Sequence, residues 1–89
     1  PDDPALHYDM GLLMVQQKKY NEAIEAFGRA AELRPDDPAV YNQIGLIFIR
    51  LGNRTGACRF FNLALKVQQG FSPAKNNQAS FCREDSEKF

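Results

Sequence analysis

Two consecutive stretches of the chain, residues 4–37 and residues 38–71, follow one pattern. The first reads PALHYDMGLLMVQQKKYNEAIEAFGRAAELRPDD and the second reads PAVYNQIGLIFIRLGNRTGACRFFNLALKVQQGF. Similar residues recur 34 positions apart, which pairs Met10-Gly11 with Ile44-Gly45, Met14 with Phe48, Ala23 with Ala57, Phe27 with Phe61 and Ala30 with Ala64. A repeat of this length is typical of supersecondary units that stack side by side, rather than of one closed globule. The repeat therefore directs the search for function toward a binding partner.

The composition is that of a small globular domain. The chain has 89 residues, of which 44 % are hydrophobic and 25 % are charged, close to the usual proportions. A domain of this size buries only about 60 % of the surface that its unfolded chain exposes, so we expect a small margin of stability. No apolar run approaches the roughly 20 residues that span a bilayer, so we expect no membrane insertion. The chain starts at Pro1 without a basic-then-apolar leader, and we interpret it as a segment of a longer protein whose compartment is left open.

Three short triplets predict helix starts: Asp3-Pro4-Ala5, Asp37-Pro38-Ala39 and Ser72-Pro73-Ala74. In each, a capping side chain precedes a proline at the first helical position, where the missing N–H group of proline does no harm. The second triplet follows the first by one repeat period, whereas the third follows the second by one position more. We therefore expect a third unit that begins near Pro73, with one additional residue in the turn before it.

From these starts and the following stop signals we predict five helices. They cover about residues 4–17, 21–34, 38–51, 54–68 and 73–83, with Gly70 as a left-handed residue after the fourth. Residues 84–88 are polar and are expected to fray. Because no segment alternates with a period of two, the predicted fold class is all-α.

The pattern resembles the tetratricopeptide repeat, a family of 34-residue helix–turn–helix units. Its first helix has a large residue, Leu-Gly and Tyr at fixed spacing; its second has Ala, Phe and Ala, followed by Pro. The corresponding positions here are His7, Met10, Gly11, Met14, Ala23, Phe27, Ala30 and Pro35 in the first unit, and Tyr41, Ile44, Gly45, Phe48, Ala57, Phe61, Ala64 and Gln69 in the second. The resemblance implies one domain over residues 1–89: repeat one at 4–37, repeat two at 38–71, and a capping helix with a tail at 72–89. It also implies a right-handed superhelical stack of antiparallel hairpins.

In this family the first helices line a concave groove, so the resemblance implies where a partner binds. The groove would take a peptide or helix of a partner protein on a face that is separate from the packing residues. Its predicted contact residues are Tyr8, Leu12, Val15, Gln16, Asn42, Leu46, Ile49 and Arg50. An exposed apolar surface of this size usually marks an interaction site, although further repeats or closure of the superhelix could also cover it. The carboxylate clamp of chaperone-binding members is not expected, because Tyr8, Leu12 and Gln43 stand where the clamp needs Lys and Asn.

The distribution of charge supports an alternative, which is self-assembly. Residues 1–37 carry four basic and eight acidic side chains, a net charge of −4, whereas residues 38–71 carry four basic and no acidic ones, a net charge of +4. Opposite charges on consecutive units favour head-to-tail association into a homo-oligomer, and salt weakens this attraction.

Nucleic acid is not expected as a partner. Four basic residues of the second unit could form a basic strip: Arg50, Arg54, Arg59 and Lys66. The chain is neutral overall, however, and its acidic first unit repels phosphate.

No constellation of residues predicts catalysis, a cofactor or a metal ion. His7, the only histidine, occupies a packing position, and Cys58 has no histidine or acid at a neighbouring helical position. Cys58 and Cys82 lack the short spacing of a metal site. We expect them to be free thiols that pack as small hydrophobic residues, although they could meet if the last helix packs against the fourth.

Overall fold

Five α-helices follow one another in the computed structural model, which describes residues 3–82. They are α1 (Pro4–Gln16), α2 (Tyr20–Leu33), α3 (Pro38–Arg50), α4 (Arg54–Val67) and α5 (Ser72–Phe81). We call the hairpin of α1 and α2 unit one and the hairpin of α3 and α4 unit two. No strand occurs in residues 3–82, and the predicted all-α fold class is confirmed. The predicted end of the last helix at Arg83 and the predicted fraying of residues 84–88 lie outside the described residues.

The repeat period extends through the last helix. The helices α1, α3 and α5 begin at residues 4, 38 and 72, and α2 and α4 begin at residues 20 and 54. The expectation of one additional residue in the turn before α5 is therefore wrong. Ser72 is the first residue of α5 and does not cap it, Phe71 is the N-cap, and Pro73 occupies the second helical position. The second position accepts proline as well as the first, because the early N–H groups of a helix have no intrahelical acceptor.

The two predicted aspartate caps are confirmed. Asp3 Oδ1 accepts a hydrogen bond from the backbone N–H of Ala5, and Asp37 Oδ1 accepts one from Ala39, each at 3.0 Å. Each carboxylate satisfies one of the N–H groups that a helix start leaves unpaired, and its negative charge lies at the positive end of the helix. The sequence therefore specifies the starts of α1 and α3 locally.

The turns within the two hairpins share one backbone feature. Lys18 has φ of 62°, and Gly52, its counterpart in unit two, has φ of 82°. Glycine adopts this left-handed conformation without steric cost, whereas lysine does not. Gly52 is the one glycine with positive φ in residues 3–82, so the expected left-handed conformation of Gly70 is wrong.

Small residues allow the two helices of each unit to pack closely. A Cβ atom added to Gly11 would lie 2.6 Å from Phe27 Cε1, and one added to Gly45 would lie 2.5 Å from Phe61 Cε1. Both rings are fully buried. The absence of a side chain at Gly11 and Gly45 therefore lets each phenylalanine ring fill the space between the helices, as the sequence predicts.

The two units join through one apolar cluster. Ala23, Phe27 and Ala30 of unit one pack with Val40, Ile44 and Ile47 of unit two, and all six are buried. The turn between the units is fixed by Tyr41, whose hydroxyl donates to the carbonyl oxygen of Pro35 at 2.8 Å. The units therefore stack through α2 and α3.

Helix α5 covers the far side of unit two and is linked to it covalently. It packs against α4, and the rings of Phe61 and Phe81 stack with centroids 6.3 Å apart. Cys58 and Cys82 form a disulfide bond, with their Cα atoms 5.7 Å apart. The expectation of free thiols is therefore wrong, because the packing of α5 along α4 brings together two cysteines that are 24 residues apart in sequence.

Candidate functional site

Three helices lie side by side on one side of the stack, which we call the groove face. Gln43 Nε2 on α3 donates to the hydroxyl oxygen of Tyr8 on α1 at 3.4 Å. Asn77 Nδ2 on α5 donates to Asn42 Oδ1 on α3 at 2.9 Å. These two hydrogen bonds place α1, α3 and α5 in that order across the groove face, which contains the positions predicted to bind a partner.

Four apolar side chains form the middle of the groove face. Leu12 and Val15 on α1 are half-buried and pack against the central cluster. Leu46 and Ile49, their counterparts on α3, are half-buried as well. The arrangement repeats on the two helices, so the four predicted residues form two matching pairs, each with part of its side chains accessible.

Polar groups occupy both ends of this apolar row. Tyr8 is half-buried, its ring meets Phe27 edge to face with centroids 5.4 Å apart, and its hydroxyl accepts from Gln43. Gln16 and Arg50, at the last residues of α1 and α3, are exposed. The row can therefore offer apolar contact in its middle and hydrogen bonds at its ends.

Asn42 differs from the other predicted contact residues. Its side chain is only 5 % exposed, and its amide oxygen is occupied by Asn77 of α5. The sequence prediction treated Asn42 as open because the alignment of the two repeats alone does not show that α5 covers this part of α3. In this structure Asn42 helps to hold the last helix in place, and its contact with a partner stays a prediction.

The most exposed large apolar side chains of the described residues lie away from the groove face. Three of these side chains are on α1, namely Leu6, Met10 and Leu13. The other three lie at the C-terminal ends of α2, α3 and α4, namely Leu33, Leu51 and Val67. Met10, predicted to be a packing residue, is 43 % exposed. Leu6 and Leu13 were not singled out from the sequence, although the corresponding residue of the second unit is apolar in each case.

The described residues offer no evident chemical centre. No group of three potential metal-ligating side chains occurs in residues 3–82. Cys58 is consumed by the disulfide bond and is not available as a thiolate nucleophile. Among the helices of the described chain, none has both the length and the apolar character needed to cross a bilayer.

Comparison with family models agrees with the periodicity, the close glycine contacts and the stacked hairpins. A model described as a TPR repeat matches residues 13–52, and one described as a tetratricopeptide repeat matches residues 38–71. The chain belongs to the tetratricopeptide repeat family. Repeats of this family generally mediate protein–protein interaction and are typically non-catalytic scaffolds. Comparison of this tetratricopeptide repeat protein with curated proteins found no match.

Proposed function

We propose that this tetratricopeptide repeat protein holds a short segment of a partner protein on its groove face. The observation that carries the proposal is the matched row of Leu12 and Val15 on α1 with Leu46 and Ile49 on α3. These side chains are half-buried, so they are held in place by packing and still offer part of their surface. A partner that covers them removes apolar surface from water without first having to order the receptor.

The polar groups around the row give the partner a direction. Arg50 and Gln16 are exposed at one end, and the Tyr8–Gln43 hydrogen bond lies nearer the other. An arginine there favours an acidic or carbonyl-rich end of the bound segment, because its guanidinium group donates several hydrogen bonds and carries a fixed charge. We therefore propose a segment with two or more apolar anchors followed by acidic residues near Arg50.

Head-to-tail self-assembly, the alternative predicted from the charges, receives less support from the geometry. The C-terminal end of the described stack is α5, which covers α4 and is linked to it by the disulfide bond. The exposed residues of α5 are polar or small, with Lys75, Asn76, Ala79 and Ser80 among them. A second copy that docked on this end would meet little apolar surface, so the opposite charges alone would have to hold the contact, and salt screens them.

The test begins with the selection of peptides from a random peptide library displayed on phage, with the disulfide-bonded chain as bait. A selected peptide is then titrated against the parent chain and against the double variant Leu12→Ala/Leu46→Ala. We expect at least a tenfold loss of affinity, since tenfold corresponds to about 1.4 kcal/mol and each leucine loses three apolar carbon atoms. Circular dichroism checks that the variant keeps its helices.

A matched control uses two apolar residues that are also one repeat period apart but lie at the ends of the second helices. The double variant Leu33→Ala/Val67→Ala removes similar side chains away from the groove face and should leave the affinity within twofold. Failure to enrich any peptide, or equal effects of the two double variants, would remove the groove face as the binding site.

A further inference from the structure

Helix α5 makes only a small apolar contact with the rest of the stack. Of its ten residues, Ala74 alone is buried. Phe81, its last residue, is half-buried and stacks on Phe61 of α4. The exposed residues of α5 are Ser72, Pro73, Lys75, Asn76, Ala79 and Ser80. One alanine and part of one ring anchor a helix weakly, because apolar burial is the main favourable term in packing.

The sequence of α5 does not keep this segment helical by itself. With ten residues, it is shorter than the roughly 12 residues at which isolated helices become marginally stable in water. Asn76, Asn77 and Ser80 are poor helix formers, and the N-cap Phe71 has no side-chain acceptor for the first N–H groups. The segment is therefore helical only while it is docked, and undocking would unfold it.

The disulfide bond ties the end of α5 to α4 at a place that a reductant can reach. Cys82 is the C-cap of α5 and is bonded to Cys58, and both cysteines are half-buried. Arg54 lies one turn before Cys58 on the same face of α4, and residues 38–71 contain no acidic side chain. Positive charge stabilises a departing thiolate, so Cys58 is the favoured leaving group when a thiolate attacks the sulfur of Cys82.

The two helical hairpins have a joint of their own, to which α5 does not contribute. The buried cluster between the units consists of three residues of α2 and three of α3, and the ring of Phe61 fills the space beside Gly45 within unit two. Residues 68–71, with exposed Gly70, connect α4 to α5. Helix α5 can therefore leave the stack by rotation within this turn while both hairpins stay folded, as a local opening.

Helix α5 also forms one edge of the groove face. Its residue Asn77 covers Asn42 of α3. A cavity of about 170 Å³ is lined by Phe81 of α5 together with Ile49 of α3 and Arg54 of α4. Ile49 belongs to the apolar row that is proposed to hold a partner. Undocking of α5 would remove one wall of this cavity and open the α3 side of the groove face to water.

We propose that the bond between Cys58 and Cys82 is a redox latch for the groove face, an inference that rests on the proposed function. The oxidised latch holds α5 on the stack and keeps the groove face ready to bind, and the reduced latch releases α5 and weakens binding. The reductant is a dithiol. One of its thiolates attacks the sulfur of Cys82, which breaks the bond between the two cysteines and expels the Cys58 thiolate.

The second thiolate of the dithiol completes the exchange. It attacks the dithiol's own sulfur in the mixed disulfide and expels the Cys82 thiolate. Two electrons pass to the cysteines, the two protons of the dithiol end on Cys58 and Cys82, and the dithiol becomes a disulfide. Oxidation by a disulfide of the same class reverses the sequence and closes the latch.

The test titrates a peptide selected on the oxidised chain against four forms of the protein. These are the oxidised parent, the parent reduced with dithiothreitol, the double variant Cys58→Ser/Cys82→Ser, and a parent whose two sulfur atoms are bridged by one methylene group. Dithiothreitol does not cleave the methylene bridge. We expect the reduced parent and the double variant to bind at least tenfold more weakly than the oxidised parent. The bridged chain should bind within twofold of the oxidised parent, with and without dithiothreitol.

Amide NMR spectra without peptide provide an independent measurement of the latch. In the reduced parent, the amides of α5 should take random-coil shifts while those of α1 to α4 stay dispersed. A folded α5 in the reduced parent, joint unfolding of all five helices, or equal affinities of the oxidised and reduced parents would each overturn the proposal. Failure to select any peptide would instead remove the proposed function, and the release of α5 would then be decided by the amide spectra alone.

Discussion

Loss of the disulfide bond between Cys58 and Cys82 should remove a large part of the stability of this small stack. The bond closes a segment of 24 residues, and the chain-entropy relation gives about 3.5 kcal/mol for a loop of this length at 25 °C. A domain of this size has a total unfolding free energy of roughly 4–13 kcal/mol. Reduction should therefore lower the folding equilibrium constant several hundredfold and bring the chain near its limit of stability.

The measurement is urea unfolding followed by far-ultraviolet circular dichroism, with and without a reducing agent. Hydrogen exchange should show the largest loss of protection in α5, since its remaining contacts with α3 and α4 are few and include buried Ala74, the Phe61–Phe81 stack and the amide hydrogen bonds. The double variant Cys58→Ala/Cys82→Ala is the control: it should unfold like the reduced parent and show no response to the reducing agent. Equal unfolding midpoints for the oxidised and reduced parent would refute the reasoning.

Three further substitutions test how individual residues specify the fold, each by the shift of the urea midpoint. Gly45→Ala should destabilise by about 1–3 kcal/mol, because its new Cβ atom would lie 2.5 Å from Phe61 Cε1; Gly28→Ala, with open space around its Cβ position, should be neutral or stabilising, and the opposite order would contradict the packing argument. Lys18→Gly should stabilise by about 0.5–1 kcal/mol by relieving the left-handed backbone at φ of 62°; a destabilised variant would show that the lysine side chain contributes more than the backbone conformation costs. Asp37→Ala should cost about 1 kcal/mol through loss of the cap on α3, and an unchanged midpoint would mean that water replaces the carboxylate.

The features that sequence analysis predicted well are those specified by neighbouring residues. The Asp-Pro-Ala triplets specify the starts of α1 and α3 through one local hydrogen bond each. The close approach at Gly11 and Gly45 follows from the periodic recurrence of glycine and phenylalanine, because only the absence of a side chain leaves room for the ring. These signals need no knowledge of the rest of the molecule.

The features that were predicted wrongly depend on contacts between distant parts of the chain. Pro73 suggested a start for α5 one residue too late, because the position of a proline within the first turn is not fixed by its own chemistry. The pairing of Cys58 with Cys82 depends on how α5 lies along α4, and nothing in either cysteine's neighbourhood reveals it. The burial of Asn42 was likewise not visible in the sequence, because its partner Asn77 comes 35 positions later; its role in binding stays a prediction.

The candidate binding surface stays a prediction. Leu12, Val15, Leu46 and Ile49 occupy matching positions on α1 and α3, and they are half-buried. The more exposed apolar residues are Leu6 and Leu13 of α1. The apolar character of these positions was visible in the sequence, but their exposure depends on whether another helix precedes α1, which the periodic pattern alone does not determine.

The amide pair of Asn42 and Asn77 has a consequence for the position of α5. Asn42 is only 5 % exposed, so water has little access to replace the amide donor of Asn77. Removal of that donor would leave the Asn42 oxygen unsatisfied, at a cost of about 1–3 kcal/mol. The pair thus makes a polar contribution to the position of α5, beside those of the disulfide bond and the Phe61–Phe81 stack.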